Sequence, residues 1–362
     1  MSPENIIPNP IVCIQKSSYT SLDIKKLLAP LGGIKKYVKS GDRVLLKVNL
    51  LATSTPDQAV VTHPAMVRAV AQEVLNAGGV PYIGDSPSRE FSKGRLKKVY
   101  EAAGLIHIAN ELGMELNYNT RSKKLLIPNG KKLKKTSICQ FVLDADKIIA
   151  LPKLKTHSLM MLTLGTKIMY GAIPGFTKAR FHSKYMRRQS FADMLLDVLT
   201  IVPPNLIIMD GVIAMQGDGP FSGDPFNLNL LFASEDAIAL DLSVCEILGV
   251  EPVGIPTLKR AKLHGLWPEN IQYPLKTTKE VKYTGFKLPS TAGYLLTGKK
   301  RPAKSPVPNK NCTACGDCEK ICPRGAAKVV NNHAEINYSL CIRCYCCHEV
   351  CPENAIELRV IK

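Results

Sequence analysis

The sequence predicts an α/β fold, with a mostly parallel or mixed sheet and flanking helices, followed by a small α+β domain at the C-terminus. Short apolar runs alternate with amphipathic helical runs over most of the chain, which is typical of βαβ units. Residues 299–310 are rich in proline and lysine, as in a linker. Residues 311–362 contain a duplicated cysteine pattern. We therefore expect an α/β domain over residues 1–298, that linker, and a separate domain over residues 311–362.

The elements of the large domain are predicted from apolar periodicity and from the residues that end each run. Apolar runs predict strands at residues 11–17, 43–50, 80–83, 147–151, 205–209 and 228–233. Helical patterns cover residues 21–38, 63–76, 92–112, 190–201 and 235–248. The basic stretch 121–135 interrupts the alternation, and its Pro128-Asn129-Gly130 turn predicts a solvent-facing hairpin. Its lysines could also dock an acidic partner.

Two cysteine runs near the C-terminus share the spacing C-x2-C-x2-C-x3-C-P and are offset by 29 residues. This spacing is the bacterial pattern for 4Fe–4S clusters, in which the fourth cysteine of each run ligates the other cluster. We therefore expect two 4Fe–4S clusters. The expected ligands of the first are Cys312, Cys315, Cys318 and Cys351. Those of the second are Cys341, Cys344, Cys347 and Cys322.

Disulfides, zinc sites and a radical-enzyme cluster fit the cysteine pattern less well. A disulfide framework suits a short secreted domain, and we recognise no secretory signal in the first residues. Two zinc sites would not need the third cysteine of each run, and neither run has the C-x3-C-x2-C order of radical enzymes that use S-adenosylmethionine. Cys346 is a ninth cysteine within the second run. It is either a bystander or an alternative ligand.

With these cysteines placed, residues 309–362 resemble the bacterial two-cluster ferredoxins. The resemblance implies a βαββαβ-like fold and one-electron transfer at low potential. It also implies a partner protein that donates or accepts low-potential electrons. Reduced cysteines and clusters of this kind indicate the cytoplasm.

The chain carries a net charge of +18, and residues 310–362 hold 7 basic and 6 acidic side chains. Almost all of the basic excess therefore belongs to the large domain, where it could attract nucleic acid, an acidic redox partner or an anionic substrate. Aromatic residues make up 6% of the chain and are not interleaved with basic ones, which disfavours nucleic-acid binding. No apolar run approaches the roughly 18 residues of a membrane span.

Polar residues follow the predicted buried strands at their carboxyl ends, where open α/β sheets bind ligands. If the strands are parallel, these residues converge on one crevice. The expected substrate-binding residues are Lys47, Asn49, Asp85, Ser86, Lys155 and Asp210. The expected catalytic residues are Lys153, His157 and His63. Each of them could instead be a turn, cap or satisfied structural residue.

The large domain lacks G-x-G-x-x-G and Walker motifs, so an ordinary NAD or ATP site is not expected. Over about residues 10–300 it resembles domain of unknown function 362, found in bacterial and archaeal proteins that are often fused to ferredoxin modules. The motifs that carry the resemblance are Lys47-Val48-Asn49, Thr62-His63-Pro64, Gly84-Asp85-Ser86-Pro87, Pro152-Lys153-Leu154-Lys155-Thr156-His157, Asp210-Gly211 and Gly217-Asp218-Gly219-Pro220.

Three functions are consistent with these features. The leading one is an iron–sulfur oxidoreductase, or the electron-delivering subunit of one, that acts on an anion held by lysines. A histidine would then move a proton. The second is a non-catalytic electron carrier whose large domain docks a partner enzyme. The third, nucleic-acid binding with structural clusters, is tested by the salt dependence of binding to generic DNA.

Overall fold

The computed structural model describes residues 9–88, 90–293 and 303–361. The first half of the large domain contains β1 (Cys13–Lys16), α1 (Ile24–Leu28), β2 (Arg43–Val48), α2 (Pro64–Asn76), β3 (Val80–Gly84), α3 (Lys93–Ala102), α4 (Leu105–Leu112), β4 (Glu115–Leu116), β5 (Ser122–Leu126), β6 (Lys135–Cys139) and α5 (Gln140–Leu143). The second half contains β7 (Lys147–Leu151), β8 (Lys153–His157), β9 (Met161–Thr163), α6 (Gly165–Ile168), α7 (Gly175–Lys184), α8 (Arg188–Ile201), β10 (Leu206–Gln216), β11 (Asp224–Ser234), α9 (Ala237–Leu248) and α10 (Pro256–Leu263).

The main sheet is mixed, as the sequence predicts. Its path is β1-β11-β10-β7-β2-β3-β4, with β8 added beside β10 and β9 beside β8. The central pairs are parallel, whereas β11 and β1 extend one edge antiparallel. Successive residues of β2 enter different cores, with Val44 and Leu46 on one face and Leu45 on the other. The sheet is therefore buried on both faces by helices, as expected for parallel strands.

Two strands differ from the sequence prediction. β10 does not end at Asp210 but continues to Gln216, because Asp210 is still paired with Leu231 of β11 and with Lys153 of β8. The segment from Lys153 to His157, predicted as polar residues after a strand, is itself strand β8. The carboxyl edge is thus built from a short extra strand as well as from loops.

The basic hairpin consists of β5 and β6, which pair antiparallel. The side chains of β5 are largely exposed, as predicted. The turn of the hairpin is held by Asp197 of α8. The Asp197 carboxylate accepts the backbone N–H groups of Lys131, Lys132 and Leu133, each at 2.7 Å. Leu133 is fully buried.

Replacing Lys123, Lys124 and Lys134 by glutamine should change the free energy of unfolding by no more than about 0.5 kcal/mol per site, because all three side chains are exposed. Chemical denaturation of the variant measures this. Asp197→Ala is the matched contrast and should cost at least about 1–3 kcal/mol, since it leaves the buried N–H of Leu133 without its acceptor. A loss of that size in the triple lysine variant would show that the hairpin is structural.

The C-terminal domain has the order βαββαβ. Its elements are β12 (Ser305–Pro308), α11 (Asp317–Ile321), β13 (Ala327–Val330), β14 (His333–Ile336), α12 (Cys346–Val350) and β15 (Ile356–Arg359). The 29-residue offset of the cysteines is repeated in the structure, because α12 and β15 begin 29 residues after α11 and β13.

The predicted linker is only partly within the described residues, since residues 299–302 lie outside them. Its later part forms β12, which pairs with β15 and so belongs to the C-terminal domain. The prolines of β12 suit an edge strand, because proline has no N–H to donate to a neighbouring strand.

Candidate functional site at the junction of the two domains

Lys47 and Asp85 form a buried ion pair at the carboxyl ends of β2 and β3. Lys47 Nζ lies 2.8 Å from Asp85 Oδ1, and both side chains are almost fully buried. Asp85 also accepts the backbone N–H groups of Leu50 at 2.6 Å and Ser86 at 2.8 Å. Gly171 packs directly on the pair, where a Cβ atom would collide with both charged groups. The lysine charge is thus neutralised within the protein.

A second buried pair joins Lys153 and Asp210, which are register partners on adjacent strands. Lys153 Nζ lies 2.9 Å from Asp210 Oδ2 and donates to the Tyr19 hydroxyl at 2.7 Å. Tyr19 in turn donates to Asp210 at 2.8 Å, and the backbone N–H of His63 donates to the same carboxylate at 3.1 Å. The His63 ring stacks on Tyr19 with centroids 3.6 Å apart. Burial lowers the pKa of His63 to about 4.

Alternate residues of β8 point to one side of the strand, which places Lys153, Lys155 and His157 in a row. Lys155 Nζ donates to the Val60 carbonyl at 2.6 Å, and burial holds the pKa of this lysine well below its ordinary value. The row leads from the Asp210 pair towards the C-terminal domain.

His157 ends this row and faces Glu349 of α12. Its Nδ1 atom accepts the backbone N–H of Leu159 at 3.1 Å, so Nδ1 is unprotonated and Nε2 carries the proton of the neutral ring. Burial also lowers the pKa of His157 far below its ordinary value. Nε2 lies 3.4 Å from Glu349 Oε1, too loosely aligned for a hydrogen bond, and Oε1 has no hydrogen-bond partner among the described residues.

A cavity of about 390 Å³ opens at this point, between the carboxyl edge of the sheet and the C-terminal domain. Its polar lining includes His157, Lys167, Tyr170, Lys178, His182 and Glu349. Its apolar lining includes Leu51, Ala179, Ile321 and Val350. The C-terminal domain contributes Ile321, Glu349 and Val350 to this lining, so the cavity is complete only when the two domains are in contact.

The charged groups of the cavity are only partly neutralised. Lys167 makes no hydrogen bond or ion pair within the described ranges, and its nearest ring contact is Tyr170, with Nζ 5.7 Å from the ring centroid. Lys178 donates to the backbone carbonyls of Ser86 and Pro87, and burial lowers its pKa to about 8. Burial raises the pKa of Glu349 to about 7, although the nearby lysines oppose that rise. The balance of charge favours an anion.

His182 carries a second unsatisfied atom in this cavity. Its side chain is 6% exposed, and Nδ1 has no hydrogen-bond partner among the described residues. The ring packs against Phe191 with centroids 4.4 Å apart. Burial lowers the pKa of His182 to about 3, so the ring is neutral near pH 7.

The eight motif cysteines surround two further cavities. One, of about 330 Å³, is lined by Cys312, Cys315, Cys318 and Cys351. The other, of about 340 Å³, is lined by Cys322, Cys341, Cys344 and Cys347. In each set, three cysteines come from one run and the fourth from the other, as the predicted crossing requires. No group of three metal-ligating side chains converges on a single ion anywhere in the described ranges, whereas an iron–sulfur cube needs thiolates spread around a volume.

Backbone donors support these thiols in a repeated way. Ala326 N donates to Cys322 Sγ at 3.1 Å, and Ala355 N donates to Cys351 Sγ at 3.2 Å, one repeat later in the chain. Hydrogen bonds to ligand sulfurs are among the features that set cluster potentials. The cysteines and their donors thus fit 4Fe–4S clusters.

Two family models match the chain. The first, described as Domain of unknown function (DUF362), matches residues 44–246, and the second, described as 4Fe-4S binding domain, matches residues 334–357. The chain belongs to the DUF362 family. Its C-terminal part is a 4Fe–4S binding domain, so the protein is an iron–sulfur protein of this family. Both matches agree with the resemblances identified from the sequence.

The chain is 38% identical over 275 residues to "Thylakoid-associated protein sll1697" of Synechocystis sp. (strain ATCC 27184 / PCC 6803 / Kazusa), an alignment that covers 74% of this chain and 82% of that protein. Among solved structures, the lactate racemase apoprotein from Thermoanaerobacterium thermosaccharolyticum superposes with a TM-score of 0.39 at 14% identity. That superposition covers 68% of this chain and 58% of the racemase. In the described residues, no helix is long and apolar enough to cross a membrane.

The structure places the predicted site residues of this DUF362 protein at one edge of the sheet but in separate groups. His157 lines the cavity, whereas His63 and Lys153 lie around Asp210. Asn49 and Ser86 follow β2 and β3 as predicted, and Ser86 Oγ accepts the backbone N–H of Gly175.

Of the six polar residues named above, sequence reasoning missed five, which are Lys167, Tyr170, Lys178, His182 and Glu349. A signal for one of them was present in the duplication. Glu349 stands 29 residues after Lys320, and Cys346 stands 29 residues after Asp317. The second repeat thus departs from the first where α12 faces the large domain.

Proposed function

We propose that this protein carries two 4Fe–4S clusters and transfers electrons between a low-potential partner protein and a small anion bound in the cavity at the domain junction. The observation that supports this most directly is the position of Cys346. It lines both the anion cavity and the cavity surrounded by Cys322, Cys341, Cys344 and Cys347. A cluster in that place would be adjacent to the bound anion.

The two cysteine cavities differ in their surroundings, and the difference suggests the path that electrons take between the partner protein and the anion. Cys315, in the first set, is exposed, although Cys318 and Cys351 of that set are buried, whereas none of the four cysteines of the second set is exposed. When bound, the clusters supply one-electron transfer, and the exposed site is the one that a partner protein can approach. The second site, beside Cys346, would serve the anion cavity. Thiolate ligands require a reducing compartment, so the cytoplasm remains the proposed location.

Within the cavity, different residues would have different roles toward the anion. Lys167 has no hydrogen-bond or ion-pair partner among the described residues and would contact the anion directly. Lys178 has a pKa lowered to about 8 and could donate or accept a proton. His157 presents an Nε2–H donor from a fixed ring. The ion pairs of Lys47 and Lys153 would hold the sheet edge in place rather than bind substrate.

A bound anion should lower the reduction potential of the cluster at Cys322, Cys341, Cys344 and Cys347 more than that of the other cluster. Added negative charge opposes reduction of the nearer cluster more strongly. Anaerobic redox titration followed by electron paramagnetic resonance, with and without sodium acetate, measures both potentials. Lys167→Met should abolish the selective shift, and Lys184→Met, at the exposed end of α7, should preserve it. Equal shifts in both clusters, or none, would leave only the non-catalytic carrier.

The affinity for acetate should fall as the pH rises through about 8. The pKa of Lys178 is lowered to about 8, so its charge is fully present below that pH and is lost above it. Calorimetric titration of the anaerobic protein between pH 7 and 9 measures the change. Lys178→Arg keeps a permanent charge and should remove the fall centred near pH 8, leaving only the change caused by ionisation of Glu349 around pH 7. An unchanged profile in that variant would assign the effect to another group.

A further inference from the structure

The net positive charge of the chain is concentrated in one segment. Residues 116–192 contain 16 basic and 2 acidic side chains, a difference of +14 out of the net +18 of the whole chain. Residues 17–115, by comparison, contain 13 basic and 9 acidic side chains, a difference of +4. In residues 121–135, which include β5 and the turn of the hairpin, all seven basic side chains are exposed. Much of this charge therefore faces solvent rather than the core or the anion cavity.

The protein does not neutralise the charges of the hairpin. None of the basic side chains of residues 121–135 forms an ion pair within the described part of the chain. Lys134 Nζ donates to the Pro128 carbonyl and Arg121 Nε to Asn119 Oδ1, each at 3.3 Å, and both acceptors are uncharged. A surface of one sign attracts a surface of the opposite sign.

Two further elements lie beside the hairpin. The Tyr185 hydroxyl, just after α7, donates to the Lys132 carbonyl in the turn at 3.3 Å. On α8, Asp197 holds the turn, and Asp193, about one helical turn earlier, accepts Arg260 Nε of α10 at 2.6 Å. The hairpin, the end of α7 and α10 are thus neighbours. We call the exposed side chains of residues 121–135, 184–187 and 259–263 the lysine surface, and these three ranges contain no acidic residue.

The lysine surface also carries the three most exposed large apolar side chains of the described residues. These are Leu126 at 76%, Leu263 at 65% and Met186 at 59% exposed. On the hairpin, Leu126 lies opposite Lys135 and two positions from Lys124, so these three side chains share one face. The other face of the hairpin packs on the core of the large domain. Leu126 is thus held outward among lysines, where transfer to an apolar medium would be favourable.

A bilayer fits these features better than a nucleic acid or an acidic protein does. Nine of the eleven exposed basic side chains of the lysine surface are lysines, whereas protein–protein interfaces are depleted in lysine. None of its exposed side chains is aromatic, although single-stranded nucleic acids are bound by stacking on aromatic rings. An anionic bilayer attracts lysines as point charges and offers an apolar region to nearby leucine side chains.

We propose that the lysine surface binds an anionic lipid bilayer, with its lysines at the headgroups and Leu126 at the boundary between the headgroups and the acyl chains. The binding is peripheral and needs no membrane-spanning helix. It brings the iron–sulfur protein to a membrane surface. The proposal is independent of the anion cavity, because the lysine surface shares no residue with its lining.

Sedimentation of the anaerobic holoprotein with vesicles tests this proposal. Vesicles of equal parts phosphatidylcholine and phosphatidylglycerol should bind the protein, and vesicles of phosphatidylcholine alone should not. Replacing Lys123, Lys124 and Lys134 by glutamine should lower the partition coefficient at least about tenfold, because each basic residue near an anionic surface contributes up to about fivefold. Leu126→Ser should lower it at least about threefold, because binding scales with the apolar area buried in the interface.

Matched variants control for charge and for exposed apolar area. Replacing Lys26, Lys97 and Lys98 by glutamine removes three exposed lysines from α1 and α3, which pack against the other face of the sheet. This variant should bind within about twofold of the wild-type protein, since charges farther than a Debye length from the bilayer are screened. Val360→Ser, at a side chain that is 50% exposed on the C-terminal domain, should leave binding unchanged.

Three results would overturn the proposal. The first is the absence of binding to the anionic vesicles, and the second is an equal loss of binding in the two triple lysine variants. The third is a Leu126→Ser variant that binds vesicles like the wild-type protein although the hairpin lysine variant does not. That result would make the lysine surface a site for polyanions in general, and tighter binding to duplex DNA than to vesicles would then identify a nucleic acid. None of these results bears on the clusters or on the anion cavity.

Discussion

Lys153→Met is expected to destabilise the large domain by about 3–5 kcal/mol, because it leaves the Asp210 carboxylate buried without its counter-charge. Both side chains are fully buried, so water cannot replace the lysine. The remaining donors to Asp210, which include the Tyr19 hydroxyl and the backbone N–H of His63, compensate only in part. Urea unfolding followed by the fluorescence of Trp267, the single tryptophan of the chain, reports on this domain.

The matched control is Lys153→Met combined with Asp210→Asn, which removes both charges. Replacing both members of a buried pair costs far less than removing one, so the double variant should recover most of the lost stability. If Lys153→Met unfolded like the wild-type protein but abolished electron transfer to the anion, the lysine would be catalytic, as the sequence predicted. The structure favours the ion-pair role.

The 4Fe–4S domain could be predicted from the sequence because its information is local. Cysteine spacing within a short loop fixes which thiols can surround one cube, and the duplication is visible without any knowledge of the fold. The mixed α/β sheet was also predictable, since strand and helix periods alternate along the chain. Lys47 and Asp85 could be placed at the ends of β2 and β3 for the same reason, because each stands at the end of a buried run.

The partners of buried charges could not be predicted in this way. Lys153 and Asp210 are separated by 57 positions and become neighbours only through the pairing of β8 with β10. A lysine after a strand looks the same in the sequence whether it binds a substrate or a carboxylate of the protein. Lys167 and Lys178 lie on helices that follow β8, where the strand-end rule gives no signal.

The contact between the two domains could not be predicted either, because the cysteine motif does not indicate which face of the C-terminal domain is covered by the large domain. His348 Nε2 contacts the Asp218 carbonyl at 3.1 Å, and Ser222 Oγ lies 2.6 Å from Asn354 Oδ1. The loop from Asp218 to Ser222 overlaps a motif that carries the resemblance to the DUF362 family, and it contacts the C-terminal domain. The available signal for this face was the set of positions at which the two repeats differ. A repeat that does not contact the large domain has no need of the residues that make this contact.

Cys322→Ala should remove the cluster beside the anion cavity and spare the other one. Cys322 belongs to the first cysteine run but lines the same cavity as Cys341, Cys344 and Cys347. Iron content should fall from about eight to about four per chain, and the surviving resonance should be that of the cluster at the exposed site. The acetate-dependent potential shift should disappear with the lost cluster, because the remaining cluster is not adjacent to the anion.

Cys351→Ala is the mirror control, since Cys351 completes the other set with Cys312, Cys315 and Cys318. It should remove the exposed cluster and preserve the response to acetate. Loss of the same cluster in both variants would contradict the crossed ligand sets. Cys346 lines the cavity of Cys322 and could replace it as a ligand, so Cys322→Ala should be repeated with Cys346→Ser. If the single variant keeps about eight irons and the double variant keeps about four, Cys346 is an alternative ligand, and the crossed arrangement still stands.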